Sequence, residues 1–152
     1  MKQSYTLQFA RLRAASEAKF MERDSYGIEF WFLGLLKLSE LRAKDTFRLP
    51  EAELEKADAD IETLREMFKS RKIDTEYLRA RLRHALNHGA ESNPNNVDVY
   101  LSRAMEKARE RGEDVILAGD LLQVLLEEPT DTLRRFLEEC DRPENQDCSG
   151  FV

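Results

Sequence analysis

Gly27-Ile28-Glu29-Phe30-Trp31-Phe32-Leu33-Gly34-Leu35-Leu36 decides the fold. The run from Phe30 to Leu36 is the longest apolar stretch in 152 residues, and it is far shorter than the ~20 residues of a membrane span. Helical spacing around Ile28–Leu41 leaves almost no polar face, so this segment reads as a central core helix. Before it, Ser4 to Glu22 forms an uninterrupted helix with Ser4 as its cap. Tyr5, Phe9, Leu12 and Phe20 share one of its faces. Asp24-Ser25-Tyr26-Gly27 is the turn between the two helices.

Beyond the hairpin, Leu41–Leu49 is ambiguous. Pro50 suits the first turn of a helix, followed by Glu51, Glu53 and Glu55 where the helix dipole favours acids, and that helix extends to Lys72. Asp74 or Thr75 caps the next helix, which ends at Gly89. Glu91-Ser92-Asn93-Pro94-Asn95-Asn96 is a loop. Val97 starts a new helix that Gly112 closes, Leu121–Glu128 is a short apolar helix, and Thr132–Glu139 turns Leu133, Phe136 and Leu137 inward. No period-two alternation occurs, which predicts an all-α fold. From Arg142 the chain is polar and unpatterned, a flexible tail or the start of a linker over 142–152.

A shift of 90 residues aligns the two halves without gaps over one helix–turn–helix. Arg13 falls on Arg103, Ala14 on Ala104, Ala18 on Ala108, Asp24 on Asp114 and Leu35-Leu36 on Leu125-Leu126. Farther on, Thr63-Leu64-Arg65 matches Thr132-Leu133-Arg134 at a shift of 69, which leaves an insertion of 21 residues in the first half, within about 38–61. The expectation is two pseudo-twofold-related four-helix repeats packed as one globular domain over 4–141. The first repeat covers 4–88 and the second 95–141.

This double pattern resembles the Clp N-terminal repeat domain, in which Gly-Thr-Glu-His-Leu-Leu-Leu-Gly-Leu-Leu follows a long helix and a turn in each copy. Here the second copy reads Leu117-Ala118-Gly119-Asp120-Leu121-Leu122-Gln123-Val124-Leu125-Leu126, and Arg71-Lys72-Ile73-Asp74 resembles the link into the fourth helix. The resemblance implies a module that recruits client proteins or adaptors to a Clp-type AAA+ unfoldase, without catalysis of its own. The alternative is a stand-alone helical adaptor. The family's capping Thr is replaced by Ile28 and Ala118, and its Glu is kept as Glu29 but lost at Gly119. Some relatives hold phosphorylated arginine with that Glu pair, and a single remaining Glu does not carry the activity over. Candidate client or adaptor contacts are Tyr5, Phe9, Glu29 and Asp120.

Composition narrows the rest. With 24 Lys+Arg against 30 Asp+Glu the net charge is −6, which disfavours general binding to nucleic acid. None of the six glycines precedes Lys, so the phosphate-cradling loop of an ATPase is missing, and AAA+ modules would be supplied by a longer chain or in trans. His84 and His88 stand one helical turn apart without a third ligand, and Cys140 and Cys148 read as free thiols. No catalytic set, cofactor or metal site is therefore expected. The cysteine usage and the absence of an N-terminal apolar leader point to the cytoplasm. Arg65, Lys69, Arg71, Lys72, Arg79, Arg81 and Arg83 form a basic stretch, expected to be a solvated face paired with the acids of 51–62.

Overall fold

The computed structural model describes residues 1–141, with side chains as far as Glu139. The proposed tail over 142–152, including Cys148, lies outside the described residues, as does the side chain of Cys140. The chain is mostly helical. In order the elements are β1 (Lys2–Gln3), α1 (Tyr5–Phe20), α2 (Ile28–Leu38), α3 (Ala43–Thr46), α4 (Glu51–Ser70) and α5 (Thr75–Asn87). A 3₁₀ turn (Pro94–Asn96) follows, then α6 (Val97–Glu110), β2 (Val115–Ile116), α7 (Ala118–Glu127) and α8 (Asp131–Asp141).

Helix α2 is the axis of the molecule. Every residue from Ile28 to Leu38 except Lys37 is buried, as its all-round apolar pattern requires. Full burial of each Leu or Phe contributes about 1.5–3 kcal/mol. Helix α1 lies against α2 through small residues. Ala10, Ala14 and Ala18 recur every fourth residue on its buried side, and a Cβ at Gly34 would stand 2.7 Å from the Ala10 carbonyl oxygen. On the other side of α2, Phe32 meets Phe68 of α4 edge to face with ring centroids 6.1 Å apart. Leu78, Leu82 and Leu86 of α5 and Leu133, Phe136 and Leu137 of α8 complete the core.

Five details depart from the sequence expectation or add to it. Helix α2 stops at Leu38, where the Ser39 hydroxyl donates to the Leu36 carbonyl at 2.7 Å. The ambiguous Leu41–Leu49 contains the single-turn helix α3. Helix α7 begins three residues earlier than predicted, at Ala118, because a side chain from α4 caps it (below). Two short strands are present: β1 and β2 pair in parallel, Lys2 with Val115 and Gln3 with Ile116, and the Ser4 amide extends the ladder to the Ile116 carbonyl at 2.9 Å. Strands of two residues are too short to show alternation. After the 3₁₀ turn, the described part of the second half holds three α-helices against the four predicted.

Candidate functional site

The N-terminal strand and first turn of α1, the inner side of α4 and the loop from α6 to α7 enclose a cleft of about 440 Å³. Tyr5 and Gln8 of α1, Glu53 and Lys56 of α4, and Arg111 and Glu113 of the α6–α7 loop line it. Asp60 is 4% exposed and forms part of the lining. Its carboxylate joins three elements: the Thr6 hydroxyl of α1 donates to it, and so do the Ala118 and Gly119 amides of α7, at 2.9 and 3.0 Å. These amides are the orphan donors of a helix start, where backbone dipoles favour a negative charge. Burial nevertheless pushes the Asp60 carboxyl above the usual range. The Thr6 hydroxyl and the two amides oppose that shift, and the nearby Asp120 adds to it.

The cap has a counterpart at α2. The Gly27 amide donates to Ser92 Oγ at 2.7 Å and the Ile28 amide to Asn96 Oδ1 at 2.8 Å, so residues preceding α6 satisfy the start of α2. This close approach demands glycine, since a Cβ at Gly27 would stand 2.3 Å from the Asn93 carbonyl oxygen.

The four candidate residues divide into two pairs. Glu29 is 2% exposed and accepts hydrogen bonds from Ser92 Oγ at 2.7 Å and Asn96 Nδ2 at 3.5 Å. Asp120 is 5% exposed, accepts two bonds from the Arg111 guanidinium at 3.0 and 2.6 Å, and accepts the Leu117 amide at 2.8 Å. That carboxylate holds the Arg111 guanidinium above its ordinary pKa. Both acids thus serve the interior, and neither lines the cleft. Tyr5 and Phe9, by contrast, share the outward side of α1. Tyr5 is exposed, whereas Phe9 is half-buried against Phe47, edge to face at 6.1 Å. Leu12 (62% exposed) and Phe20 (75% exposed) extend the same side.

The basic stretch is largely drawn into the fold, and several of its partners lie outside the acids expected. Arg65 caps the carbonyls of Ser39 at 2.8 Å and Leu41 at 2.6 Å, Arg79 pairs with Glu40, Arg81 with Glu139 and Arg83 with the buried Glu17. Among the acids in 51–62, Glu62 meets this stretch, through Arg65 at 3.0 Å. The His84 and His88 rings stack with centroids 4.1 Å apart, and His88 Nδ1 donates to the His84 carbonyl. Among the described residues no group of three or more His, Cys, Asp or Glu is placed to hold a metal ion, and no helix is long and apolar enough to cross a membrane.

Sequence reasoning missed Asp60, Thr6, Ser92, Asn96 and Arg111. Asp60 sits in an acidic run that looks solvated throughout, and the Ser92 and Asn96 caps lie more than 60 residues from the amides they serve. Searches against family models, curated proteins and solved structures return no match.

Proposed function

We propose that this domain is a protein-recruiting module of the Clp N-terminal repeat type, which captures client proteins or adaptors for a Clp-type AAA+ unfoldase and makes no bonds itself. The supporting fold argument is the 90-residue register. The α1–turn–α2 and α6–turn–α7 hairpins end their first helices alike. The Arg23 amide returns to the Ala18 carbonyl, and 90 residues on the Glu113 amide returns to that of Ala108. The N-terminus of each apolar helix is capped by side chains distant in sequence, Ser92 and Asn96 at α2 and Asp60 at α7. A pseudo-twofold pair of hairpins is the simplest reading of these correspondences.

The observation that carries the function is the outward side of α1. Large apolar residues there stand in solvent although small ones complete the core, and such exposure marks interaction surfaces. Weak capture at this surface raises the local concentration of a client at a neighbouring motor. The test is binding of a permanently unfolded model client, followed by its degradation by a Clp-type AAA+ protease with this domain attached to the motor. Saturable binding and faster degradation support the reading, and absence of both overturns it.

A further inference from the structure

Ser4, Thr6 and Asp60 form an unbroken chain of side-chain oxygens from the cleft to the interior. Ser4 is half-buried on the cleft lining, whereas Thr6 is 1% exposed and Asp60 stands between α4 and the start of α7. The Ser4 and Thr6 hydroxyl oxygens lie 2.7 Å apart, and either can donate to the other. Thr6 Oγ1 is bonded in turn to Asp60 Oδ2. At the outer end Ser4 Oγ accepts the Leu7 amide at 3.1 Å. The chain is satisfied in two opposite directions. With Asp60 ionised, Ser4 donates to Thr6 and Thr6 donates to Asp60. With Asp60 neutral, its own O–H donates to Thr6 Oγ1, and Thr6 donates to Ser4 Oγ, whose two lone pairs then take Thr6 and Leu7 together. The Ser4 proton is left to turn into the cleft. The Gly119 amide, at 3.0 Å, keeps Asp60 Oδ1 in both states.

We propose that this chain is a pH-sensitive switch: proton uptake by Asp60 inverts both hydroxyls and gives the cleft wall a hydrogen-bond donor at Ser4 that it lacks when Asp60 is ionised. The proton comes from water in the cleft, and no bond between heavy atoms is made or broken. Burial favours the neutral state, since it holds the Asp60 carboxyl above the usual range. Asp120 of α7 also favours the proton, and the Arg111 guanidinium is bound to Asp120 at 3.0 and 2.6 Å. Lys2 of β1, Tyr5 of α1, Glu53 and Lys56 of α4, and Glu113 of the α6–α7 loop line the same cleft, with Lys56 Nζ 3.7 Å from Glu53. The Ser4 amide donates to the Ile116 carbonyl at 2.9 Å, so the residue stays on the β1–β2 ladder while its hydroxyl proton turns.

The experiment is a pH titration of the whole chain by NMR, following the Asp60 carboxyl carbon and the Leu7 amide, with circular dichroism confirming that every variant is folded. In the parent both signals are expected to move with one midpoint, because Ser4 Oγ accepts a second hydrogen when Asp60 takes its proton. Asp60→Asn removes the movement of the Leu7 amide. Thr6→Val raises the Asp60 midpoint, since the carboxylate loses a donor, and uncouples the Leu7 amide from it. Thr6→Ser restores both. Ser4→Ala acts in the opposite sense. The neutral carboxyl then leaves the buried Thr6 hydroxyl with no acceptor, so proton affinity at Asp60 falls about threefold or more. Ser4→Gly, which a helix cap tolerates better than Ala, gives the same reading if Ser4→Ala is unfolded. An Asp60 midpoint that is unchanged or raised when Ser4 is replaced means that the chain runs one way, and overturns the proposal. So does a Leu7 amide that ignores Asp60 in the parent, or one that still follows it in Thr6→Val through the field of the charge alone.

Discussion

Glu22 and Gly112 stand 90 residues apart and adopt the same left-handed backbone, with φ of 57° and 77°. Each lies just past a helix, where the chain reverses and the next amide returns to a carbonyl of the last turn. Glycine takes this conformation at little cost, whereas an L side chain is strained in it. Glu22→Gly is therefore expected to stabilise the domain by about 0.5–1 kcal/mol and Gly112→Ala to destabilise it by about 1 kcal/mol. A Cβ at Gly112 meets nothing within 4 Å, so that loss comes from the backbone alone. Urea unfolding of the two variants measures both changes. Equal signs for the two would remove the conformational equivalence.

Asp60 gives a prediction with a defined pH dependence. Asp60→Ala leaves the buried amides of Ala118 and Gly119 without their acceptor, an expected loss of about 2–4 kcal/mol at neutral pH. The sign of the titration follows from burial. The folded pKa lies above the unfolded value, so the folded chain retains this proton to higher pH. The resulting contribution to stability is complete below about pH 4 and is lost as pH rises through the folded pKa. Asp60→Asn does not titrate, so its stability relative to the parent should improve as pH rises from about 4 and level off above the folded value. Unfolding curves collected over that range test it. A relative stability that falls with pH would mean that the three hydrogen bonds outweigh desolvation.

Two glycines bring backbones together, for a reason unrelated to φ. A Cβ at Gly34 would lie 2.8 Å from the Ala10 Cα, and one at Gly27 would lie 2.3 Å from the Asn93 carbonyl oxygen, both backbone atoms that cannot rotate away. Gly34→Ala should push α1 from α2 and cost about 1–3 kcal/mol, as overpacking does. Gly27→Ala should cost at least as much, because displacing the 91–96 loop also disturbs the Ser92 and Asn96 caps. Thermal melts compare the two variants with the parent.

What the sequence disclosed and what it hid follow one physical division. The α2 core, the stop at Gly112 and the cap at Asp74 depend on neighbours within a few residues, so local pattern reveals them. The inner residues of α1 were harder to read, because alanines pack by closeness and leave no large-residue signature, while Tyr5, Leu12 and Phe20 imitate a core stripe. Glu29 and Asp120 look like free site carboxylates on their helices. Their partners are a serine and an asparagine from the segment before α6 in one case, and in the other an arginine nine residues earlier that the α6–α7 loop folds back. Long-range polar closure of this kind has no period in the sequence. It explains why the two acids among the four candidates turned inward and the two aromatic ones did not.

The two-sided character of α1 predicts a sharp asymmetry between adjacent substitutions. Leu7 is fully buried and Leu12 is 62% exposed, on the same helix and with the same side chain. Leu7→Ala removes packed methyl groups and leaves a cavity under α1, for an expected loss of about 2–5 kcal/mol. Leu12→Ser removes apolar surface that is already largely in water, so stability should stay within about 0.5 kcal/mol of the parent while unfolded-client capture weakens. Parallel measurement of unfolding and client binding on both variants separates packing from recognition. A Leu12→Ser protein that is as destabilised as Leu7→Ala would place Leu12 in the fold's own interior and leave α1 without an outward docking side.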